Sequence, residues 1–529
     1  MNDLRRRRYD VLIYGASLAG IMAAVRLRRR GRTVCILEPT EHVGGIVAGG
    51  LVKTDIPNVL PALGGLTLSE FFEGIGREYG LDHAQYRFEP KVAERVSREL
   101  LDAAGVDVLL RCRIDGPADV EVRGGRVRGV RVADAGPGWI GADFFIDASY
   151  EGDLMAASGV PYRTGRESRE EYGEEHAGFL PTRAHRAAGL AEPGAYLMRA
   201  RPDLLPGAAD AAVQAYNFRG VLTTADDRLP FARPEGYDPS EYRLFQRLVE
   251  QRELGGLDAI VTQTAALPRQ KFQTNQGPVV GFDLPGVNWD YPDGSWARRD
   301  EIIAEQVRWH QGLLHWMAND PSLSETFRAR TRAFGYPADE FVDSPHGAGF
   351  PHALYIREAR RMVGEHVLTE HDLFGASATK STAVAYWKYG MDCHITQYWA
   401  EGDTLVAEGT LTGSTSNPPV DLYQLPAESL MPRRADAENL AVAVCFSASH
   451  VGYLSARMEP AFGMLGEACG ELAHQSLATG RAVQDYDYPA LAVALEEFGS
   501  VLRLRDDEVY AAGDYPDTLD FPDSIDVGR

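Results

Sequence analysis

The feature that most constrains this chain is a glycine-rich turn between two apolar segments near the N-terminus. Residues 9–14 are apolar and β-branched enough for a buried parallel strand, and the sequence GASLAG follows at 15–20. Residues 21–31 have the apolar spacing of a helix, and residues 32–37 predict a second strand that ends at Glu38. Strand, turn, helix, strand and acid in this order predict a parallel α/β unit that binds a dinucleotide.

The positions of the turn meet separate physical requirements. Gly15 permits the sharp turn off the strand, and Gly20 lets the helix lie close to the sheet. Ser17 replaces the usual second glycine, but it is small enough for backbone N–H groups to approach a pyrophosphate, and its hydroxyl could donate to that group. Glu38 is expected to accept hydrogen bonds from the adenosine ribose. The cofactor-binding residues predicted here are Gly15, Ala16, Ser17, Leu18, Ala19, Gly20, Glu38 and Pro39.

A second glycine-rich segment, VGGIVAGGL, spans residues 43–51. Its glycines permit a backbone that runs close along a flat ligand, and the apolar residues between them argue against a merely flexible loop. We therefore expect further cofactor contacts from Gly44, Gly45, Ile46, Gly49, Gly50 and Leu51. Further cofactor contacts are predicted at the ends of later strands and in the last long helix. They are Asp107 in the strand predicted over 106–112, Ala148, Ser149, Met458 and Gly466.

Composition narrows the class of protein. The 529 residues are 44% hydrophobic and 25% charged, which is typical of a globular protein of two or more domains. A net charge of −22 argues against nucleic-acid partners, and no apolar run is long enough to span a membrane. Five scattered cysteines without a CxxC pair suggest neither a metal site nor disulfides, so the cytoplasm is the expected compartment. The oligomeric state cannot be read from the sequence.

The cofactor domain is predicted to be discontinuous. Residues 1–160 give its first part, and a buried strand at 439–446 followed by a helix beginning near Pro460 indicates a return at 432–485. Residues 161–431 lack a βαβ rhythm and are expected to form an inserted α+β substrate domain. Residues 486–529 are predicted as a C-terminal helix and an acidic tail.

Charged residues at 355–365 predict a contact between these domains. In the sequence YIREARRMVGE, a helix would place Arg357, Arg360 and Arg361 on one face because they are spaced i, i+3, i+4. Together with Glu358 they are expected to form an interdomain ion-pair network rather than to bind substrate.

Several blocks occur in one order along most of the chain: GASLAG with Glu38, VGGIVAGGL, FEP at 88–90, DASYEGDLMAASGV at 147–160, GRESREEYGE at 165–174, FR at 218–219, YIREARRMVGE and SASHVGYLSARMEP at 447–460. In these blocks the chain resembles the FAD-dependent oxidoreductase family, whose members are often labelled "FAD-dependent oxidoreductase" or "xanthan lyase". The resemblance implies a glutathione-reductase-type FAD-binding Rossmann domain, noncovalent FAD and two-electron redox chemistry. Cleavage of a polysaccharide by β-elimination does not require a dinucleotide site, so these residues give the lyase label no physical support.

One loop departs from related sequences. They often have Pro-Tyr-Arg-Ser-Leu before the last strand, whereas this chain has PAESL at 426–430. The change from Tyr-Arg to Ala427-Glu428 alters charge and volume, so if this loop borders the substrate pocket, the substrate differs from the usual one.

The flavin would supply the redox chemistry, so the protein must position a substrate and take a proton. Histidine is the natural base near neutral pH, and the candidates are His450 and His394. Arg457 is a candidate for stabilising the anionic reduced flavin, Tyr453 for donating a proton and Asn275 for binding substrate.

The predicted function is a dehydrogenase or oxidase that removes two electrons from a small polar organic molecule by hydride transfer to flavin N5. One alternative is a monooxygenase that uses NAD(P)H and oxygen, although no second complete GxGxxG motif occurs later in the chain. Another is a flavin-holding protein without catalytic activity.

Overall fold

The computed structural model describes residues 8–54, 62–131, 138–181, 186–257, 260–261, 263–277, 279–411 and 420–504. The acidic tail predicted at the C-terminus lies beyond these ranges from residue 505 onward. The described strands are β1 Arg8–Tyr14, β2 Val34–Leu37, β3 Asp107–Leu109, β4 Val120–Arg123, β5 Arg126–Arg131, β6 Trp139–Asp147, β7 Tyr162–Arg163, β8 Arg186–Ala188, β9 Met198–Arg199, β10 Val221–Thr223, β11 Gln263–Leu267, β12 Lys271–Thr274, β13 Arg361–Met362, β14 Ala383–Trp387, β15 Gln397–Glu401, β16 Thr404–Glu408, β17 Tyr423–Pro426 and β18 Leu440–Val442.

The α-helices in the same ranges are α1 Leu18–Arg29, α2 Glu73–Glu78, α3 Pro90–Ala104, α4 Asp153–Ala157, α5 Arg169–Tyr172, α6 Arg243–Arg252, α7 Trp296–Asn319, α8 Glu325–Arg332, α9 His450–Ala456, α10 Glu459–Thr479 and α11 Tyr488–Glu496. A π-helical stretch, Thr67–Phe72, runs directly into α2. No helix within the described ranges combines the length and the apolarity that a membrane span requires.

The main sheet contains the predicted dinucleotide unit. Its order is β3-β2-β1-β6-β5-β4, and β18 also pairs with β6. Strands β1, β2, β3, β6 and β18 are parallel to their neighbours in this set, whereas β5 is antiparallel to both β4 and β6. The α/β fold class is therefore confirmed. Strands β4 and β5 form a hairpin whose two-residue turn, Gly124–Gly125, has positive φ at both glycines.

The predicted β-strand at 106–112 is too long. Only Asp107–Leu109 pair with β2, and Arg111 has a φ of 58°, which ends the extended backbone. The return strand is likewise short: β18 pairs Leu440 with Phe145 and Val442 with Asp147. That pairing joins residues from late in the chain to the sheet of the first 150 residues, as a discontinuous cofactor domain requires. The domain boundaries themselves stay a prediction.

Helices α1 and α10 cross with very little space between their backbones. A Cβ added to Gly466 of α10 would lie 2.1 Å from the carbonyl oxygen of Ala19 in α1. Arg26 of α1 is fully buried, and its Nε lies 2.5 Å from a carboxylate oxygen of Glu471 in α10. Gly466 thus lets α10 pack directly against the dinucleotide-binding helix α1.

The helix predicted over 355–361 is wrong. The backbone there is not helical, and Asn217 and Tyr355 form an antiparallel bridge instead. The expected ion pairs exist nevertheless: Arg357 pairs with Asp283, Arg360 with Asp153, and Arg361 with Glu358 and Glu167. An extended backbone lets these three side chains reach carboxylates on different elements, which one helix face could not do.

Candidate active site

A cavity of about 720 Å³ lies beyond the carboxyl ends of β1, β2 and β6. Gly15, Glu38 and Ala148 directly follow those strands, and all three line the cavity. The carboxyl edge of a parallel sheet is where open α/β folds bind their ligands. Predicted cofactor residues that line it are Gly15, Ser17, Glu38, Pro39, Gly45, Ile46, Ala148 and Ser149.

The turn at the start of α1 is shaped by close backbone contacts. Gly15 has a φ of 98°, and a Cβ there would lie 2.7 Å from the backbone of Ala148. A Cβ on Gly20 would lie 2.1 Å from the Gly15 carbonyl oxygen. Both glycines are therefore required by packing. Ser17 caps α1, and its hydroxyl donates to the Ala148 carbonyl over 2.7 Å, which ties the turn to β6.

Glu38 is buried at the end of β2 and organises the loop beside it. Its carboxylate accepts from the Ala16 N–H at 2.7 Å, the Thr40 N–H at 2.8 Å and the Thr40 hydroxyl at 2.7 Å. Burial raises the pKa of Glu38, and the bonds from Thr40 and Ala16 oppose that rise only in part. The remaining lone pairs of its two oxygens face a site where ribose hydroxyls could donate.

The other predicted cofactor residues do not line the cavity, and Asp107 lies at the amino end of β3, away from the carboxyl edge of the sheet. Gly49 and Gly50 are pressed against Ala353 and Arg219. Asp107 accepts from the Tyr9 hydroxyl at 2.8 Å. Those that do not line the cavity are Ala16, Leu18, Ala19, Gly20, Gly44, Gly49, Gly50, Leu51, Asp107, Met458 and Gly466.

The opposite wall of the cavity comes from the middle of the chain, and the sequence analysis missed it. Helix α7 contributes several side chains, and residues 345–356 contribute others. The lining residues not predicted include Thr40, His42, Arg111, Arg113, Tyr150, Glu151, Tyr291, Trp296, Ile303, Val307, His346, His352 and Ile356. Thr40, Tyr150 and Glu151 carried a usable signal, because they directly follow the predicted Pro39 and the predicted Ala148 and Ser149.

Tyr150 connects the glycine-rich loop to the start of α10. Its hydroxyl accepts from the Ile46 N–H at 3.0 Å and donates to Glu459 Oε1 at 2.8 Å. Burial raises the pKa of Glu459 to about 8, since only Tyr150 opposes it. The second carboxyl oxygen of Glu459 is buried without a hydrogen-bond partner among the described residues.

His394 is held by a buried aspartate. Its Nδ1 lies 2.7 Å from Asp283 Oδ2, and its Nε2 lies 3.7 Å from an Asp392 oxygen. Burial would raise the Asp283 pKa, but Arg357 and His394 hold it well below its usual range. Burial and Arg357 together lower the pKa of His394. An ionised Asp283 therefore accepts from Nδ1–H, and a neutral imidazole keeps its Nε2 lone pair.

His450 is the first residue of α9 and has a similar partner. Its Nδ1 lies 2.8 and 3.0 Å from the two oxygens of Glu358, and its Nε2 lies 3.9 Å from Cys393 Sγ. Burial would raise the Glu358 pKa, but His450 and Arg361 lower it to about 2. Cys393, which directly precedes His394 in the chain, thus covers the free nitrogen of His450.

Three further candidate residues are also buried or half-buried. Arg457 binds Asp392 through the backbone carbonyl at 2.7 Å and the carboxylate at 2.9 Å, and the Tyr453 hydroxyl donates to the Val444 carbonyl at 3.2 Å. The Asn275 Oδ1 atom is buried without a partner among the described residues. His394, His450 and Arg457 therefore meet in one polar network around residues 392–394, and none of the five predicted catalytic residues lines the cavity.

A cluster of three carboxylates, Glu89, Asp339 and Glu340, has the spacing of a cation site. The buried Lys271 ammonium lies among them, 2.5 Å from Glu89, 2.8 Å from Asp339 and 2.6 Å from Glu340. The positive charge within this cluster is thus that of Lys271, whose ion pair with Glu89 links β12 to the start of α3.

Comparison with solved structures gives low overall similarity. THI4 from Thermovibrio ammonificans is 20% identical over 30% of this chain and 67% of that chain, with a TM-score of 0.22. L-amino acid deaminase from Proteus vulgaris is 16% identical over 32% of this chain and 54% of its own, with a TM-score of 0.22. L-proline dehydrogenase from P. horikoshii is 13% identical over 30% and 58%, with a TM-score of 0.23.

A search of curated proteins finds no match. The family described as FAD dependent oxidoreductase, in contrast, matches residues 10–495, which include the glycine-rich turn, the carboxyl edge of the sheet and the whole middle of the chain. The expected resemblance is confirmed, and the chain belongs to the FAD dependent oxidoreductase family.

Proposed function

We propose that this enzyme dehydrogenates a small polar organic substrate. The observation that carries the proposal is the Asp283–His394 pair, which leaves one imidazole nitrogen able to accept a proton. FAD, the cofactor of the family, accepts two electrons as hydride at N5. The C–H bond of the substrate would supply that hydride, and its O–H or N–H group would give its proton to His394 Nε2.

The residues at the carboxyl edge of the sheet fit FAD. Gly15 and Ser17, at the start of α1, line the cavity, and the N-terminus of a helix attracts a pyrophosphate. Glu38 stands where the adenosine ribose would bind. Gly45 and Ile46 line the same cavity farther along, so the flavin end would continue past them toward Gly49 and Gly50.

His394 is better placed than His450 to act as the base. Cys393 covers the free nitrogen of His450, whereas His394 Nε2 has an Asp392 oxygen 3.7 Å away, beyond hydrogen-bond distance. The lowered pKa keeps His394 neutral at physiological pH, so it can take a proton without first losing one. Asp283 would then stabilise the imidazolium that forms.

The experiment is an anaerobic absorbance titration of the purified protein with NADPH and then with sugars, amino acids and hydroxy acids. Bleaching of the flavin by an organic substrate, but not by NADPH, supports dehydrogenation. Bleaching by NADPH alone would favour a monooxygenase, and a flavin that no added molecule reduces would favour a protein that only holds it.

The base is tested by substituting His394→Gln, with His176→Gln as the matched control. His176 lies outside this network and pairs with Glu370. General-base catalysis contributes roughly 10²- to 10⁴-fold, so flavin reduction should slow by that factor in His394→Gln and stay near the wild-type rate in His176→Gln. Unchanged reduction by His394→Gln would show that another residue takes the proton.

A further inference from the structure

Arg219 is a buried cation without a counterion of its own. Its side chain is 9% exposed, and no described residue gives it a hydrogen bond or an ion pair. Its Nε is buried without a partner, and its guanidinium lies 5.5 Å from the centre of the Tyr355 ring. Burying an unpaired charge is costly, so a structure that keeps one there is arranged for an anion that binds later.

The neighbouring charges do not neutralise Arg219. Two other guanidiniums approach the same tyrosine: Arg357 lies 5.0 Å from the ring centre, and Arg457 Nη1 lies 3.5 Å from the hydroxyl. Each of these has its own carboxylate, Asp283 for Arg357 and Asp392 for Arg457. With His394 neutral, the cluster keeps one excess positive charge.

Arg219 lies at a tight turn just before strand β10. Strands β10 and β12 pair Val221 with Gln273, and the Thr274 N–H donates to the Gly220 carbonyl at 2.7 Å. The Gly220 N–H also donates to the Phe218 carbonyl at 2.9 Å, so the chain turns at Arg219 before the strand begins.

Arg219 is also next to the segment expected to contact the flavin. A Cβ on Gly50, whose φ is 139°, would lie 2.6 Å from the Arg219 carbonyl oxygen and 3.2 Å from its Cβ. Asp283 feels the charges of Arg357, His394 and Arg219 together, which places the proposed base within the same electrostatic cluster.

We propose that Arg219 binds the carboxylate of the substrate, so that this enzyme oxidises a small organic acid. This inference rests on the proposed function and names its substrate class. A guanidinium matches a carboxylate with two parallel N–H···O bonds, and such bonds orient the molecule as well as attract it. His394 takes the proton from the hydroxyl or amine to be oxidised.

The test measures equilibrium binding to the FAD-loaded protein by calorimetry. The probes are acetate, lactate, succinate and benzoate, each compared with its neutral amide. At least one carboxylate should bind at least tenfold more tightly than its amide. Arg219→Met should weaken that carboxylate at least tenfold and leave the amide unchanged, and Arg219→Lys should restore part of the loss. Arg298→Met, on the exposed start of α7, is the control and should bind like wild type.

Three results would overturn the carboxylate assignment. One is that none of the carboxylates binds wild-type protein more tightly than its amide. A second is that Arg219→Met keeps carboxylate affinity but shifts the flavin reduction potential, since Arg219 would then serve the reduced flavin. The third is reduction of the flavin by an uncharged substrate, which would reject the carboxylate and leave the proposed dehydrogenation standing. If Arg219→Met does not fold, Arg219→Lys and the comparison of acid with amide on wild-type protein decide the question.

Discussion

At the scale of single residues, Glu459 shows a side chain whose charge is set by burial. Its folded pKa of about 8 lies above the ordinary 4.5, so the folded protein binds this proton more tightly than the unfolded chain does. The resulting stabilisation is complete below about pH 4.5 and is lost as the pH rises toward 8. One pKa unit corresponds to about 1.4 kcal/mol, so the effect on the free energy of unfolding is measurable.

We therefore expect Glu459→Gln to flatten the pH dependence of stability. Glutamine stays neutral and still accepts from Tyr150, so the Tm of the variant should fall less than that of wild type as the pH rises from 5 to 8. Asp147 and Glu151, whose pKa values burial raises to about 6 and about 7, contribute equally to both proteins. Thermal unfolding of the FAD-free protein across this range is the measurement. Glu301→Gln, in an exposed pair with Arg298 on α7, should follow wild type. A Glu459→Gln variant with the wild-type slope would contradict the assignment.

The same scale explains which site residues a sequence can predict. Gly15, Gly20 and Glu38 answer requirements set within a 30-residue unit, so their spacing alone points to a dinucleotide. The Asp283–His394 pair joins residues from different elements, and no local pattern announces it. His394 was a candidate because of its residue type, but its partner, its tautomer and its lowered pKa all come from the fold.

At the scale of elements, the close contact between α1 and α10 allows a direct test of the packing. The Cβ of an alanine at 466 would lie 2.1 Å from the Ala19 carbonyl oxygen, and a backbone atom cannot move aside without shifting the first turn of α1. We expect Gly466→Ala to destabilise the protein by about 1–3 kcal/mol and to weaken FAD binding.

Thermal unfolding and fluorescence titration with FAD measure the two effects of Gly466→Ala. Gly116→Ala is the control, since no atom lies within 4 Å of its added Cβ and its backbone is extended. A Gly466→Ala variant as stable as Gly116→Ala would show that the two helices can separate at little cost.

Strands and helices were predicted correctly where the local sequence pattern agrees with burial. They were predicted wrongly where ion pairs with distant residues determine the backbone conformation. Residues 9–38 form β1, α1 and β2 as expected, because two apolar strand segments on either side of a glycine-rich turn and a helix leave a clear local pattern. The arginines at 357, 360 and 361 have helical spacing, yet their carboxylate partners at 283, 153 and 167 come from three other segments. An extended backbone satisfies all three, and spacing within the segment cannot reveal partners so far away.

At the scale of the whole molecule, ion pairs hold the cofactor-binding sheet against the middle of the chain. Asp153 of α4 accepts from Arg299 of α7 at 2.7 and 2.9 Å and from Arg360 at 2.7 Å. Lys271 makes a second such link with Glu89 and Glu340. Because α7 also lines the cavity, these pairs position one cavity wall against the other.

Asp153→Asn removes the one charge that both of its arginines share. Arg299 would then be buried without its carboxylate, while Arg360 would keep Asp293 at 2.9 Å, and breaking a buried pair in this way costs about 3–5 kcal/mol. We expect a lower Tm and weaker FAD binding, although Asp153 does not line the cavity. Asp290→Asn, which loses an exposed pair with Arg298, should change stability by about 1 kcal/mol or less. If the Tm and the FAD affinity of Asp153→Asn match those of Asp290→Asn, the two walls are held together by packing, and the buried charges contribute little to their alignment.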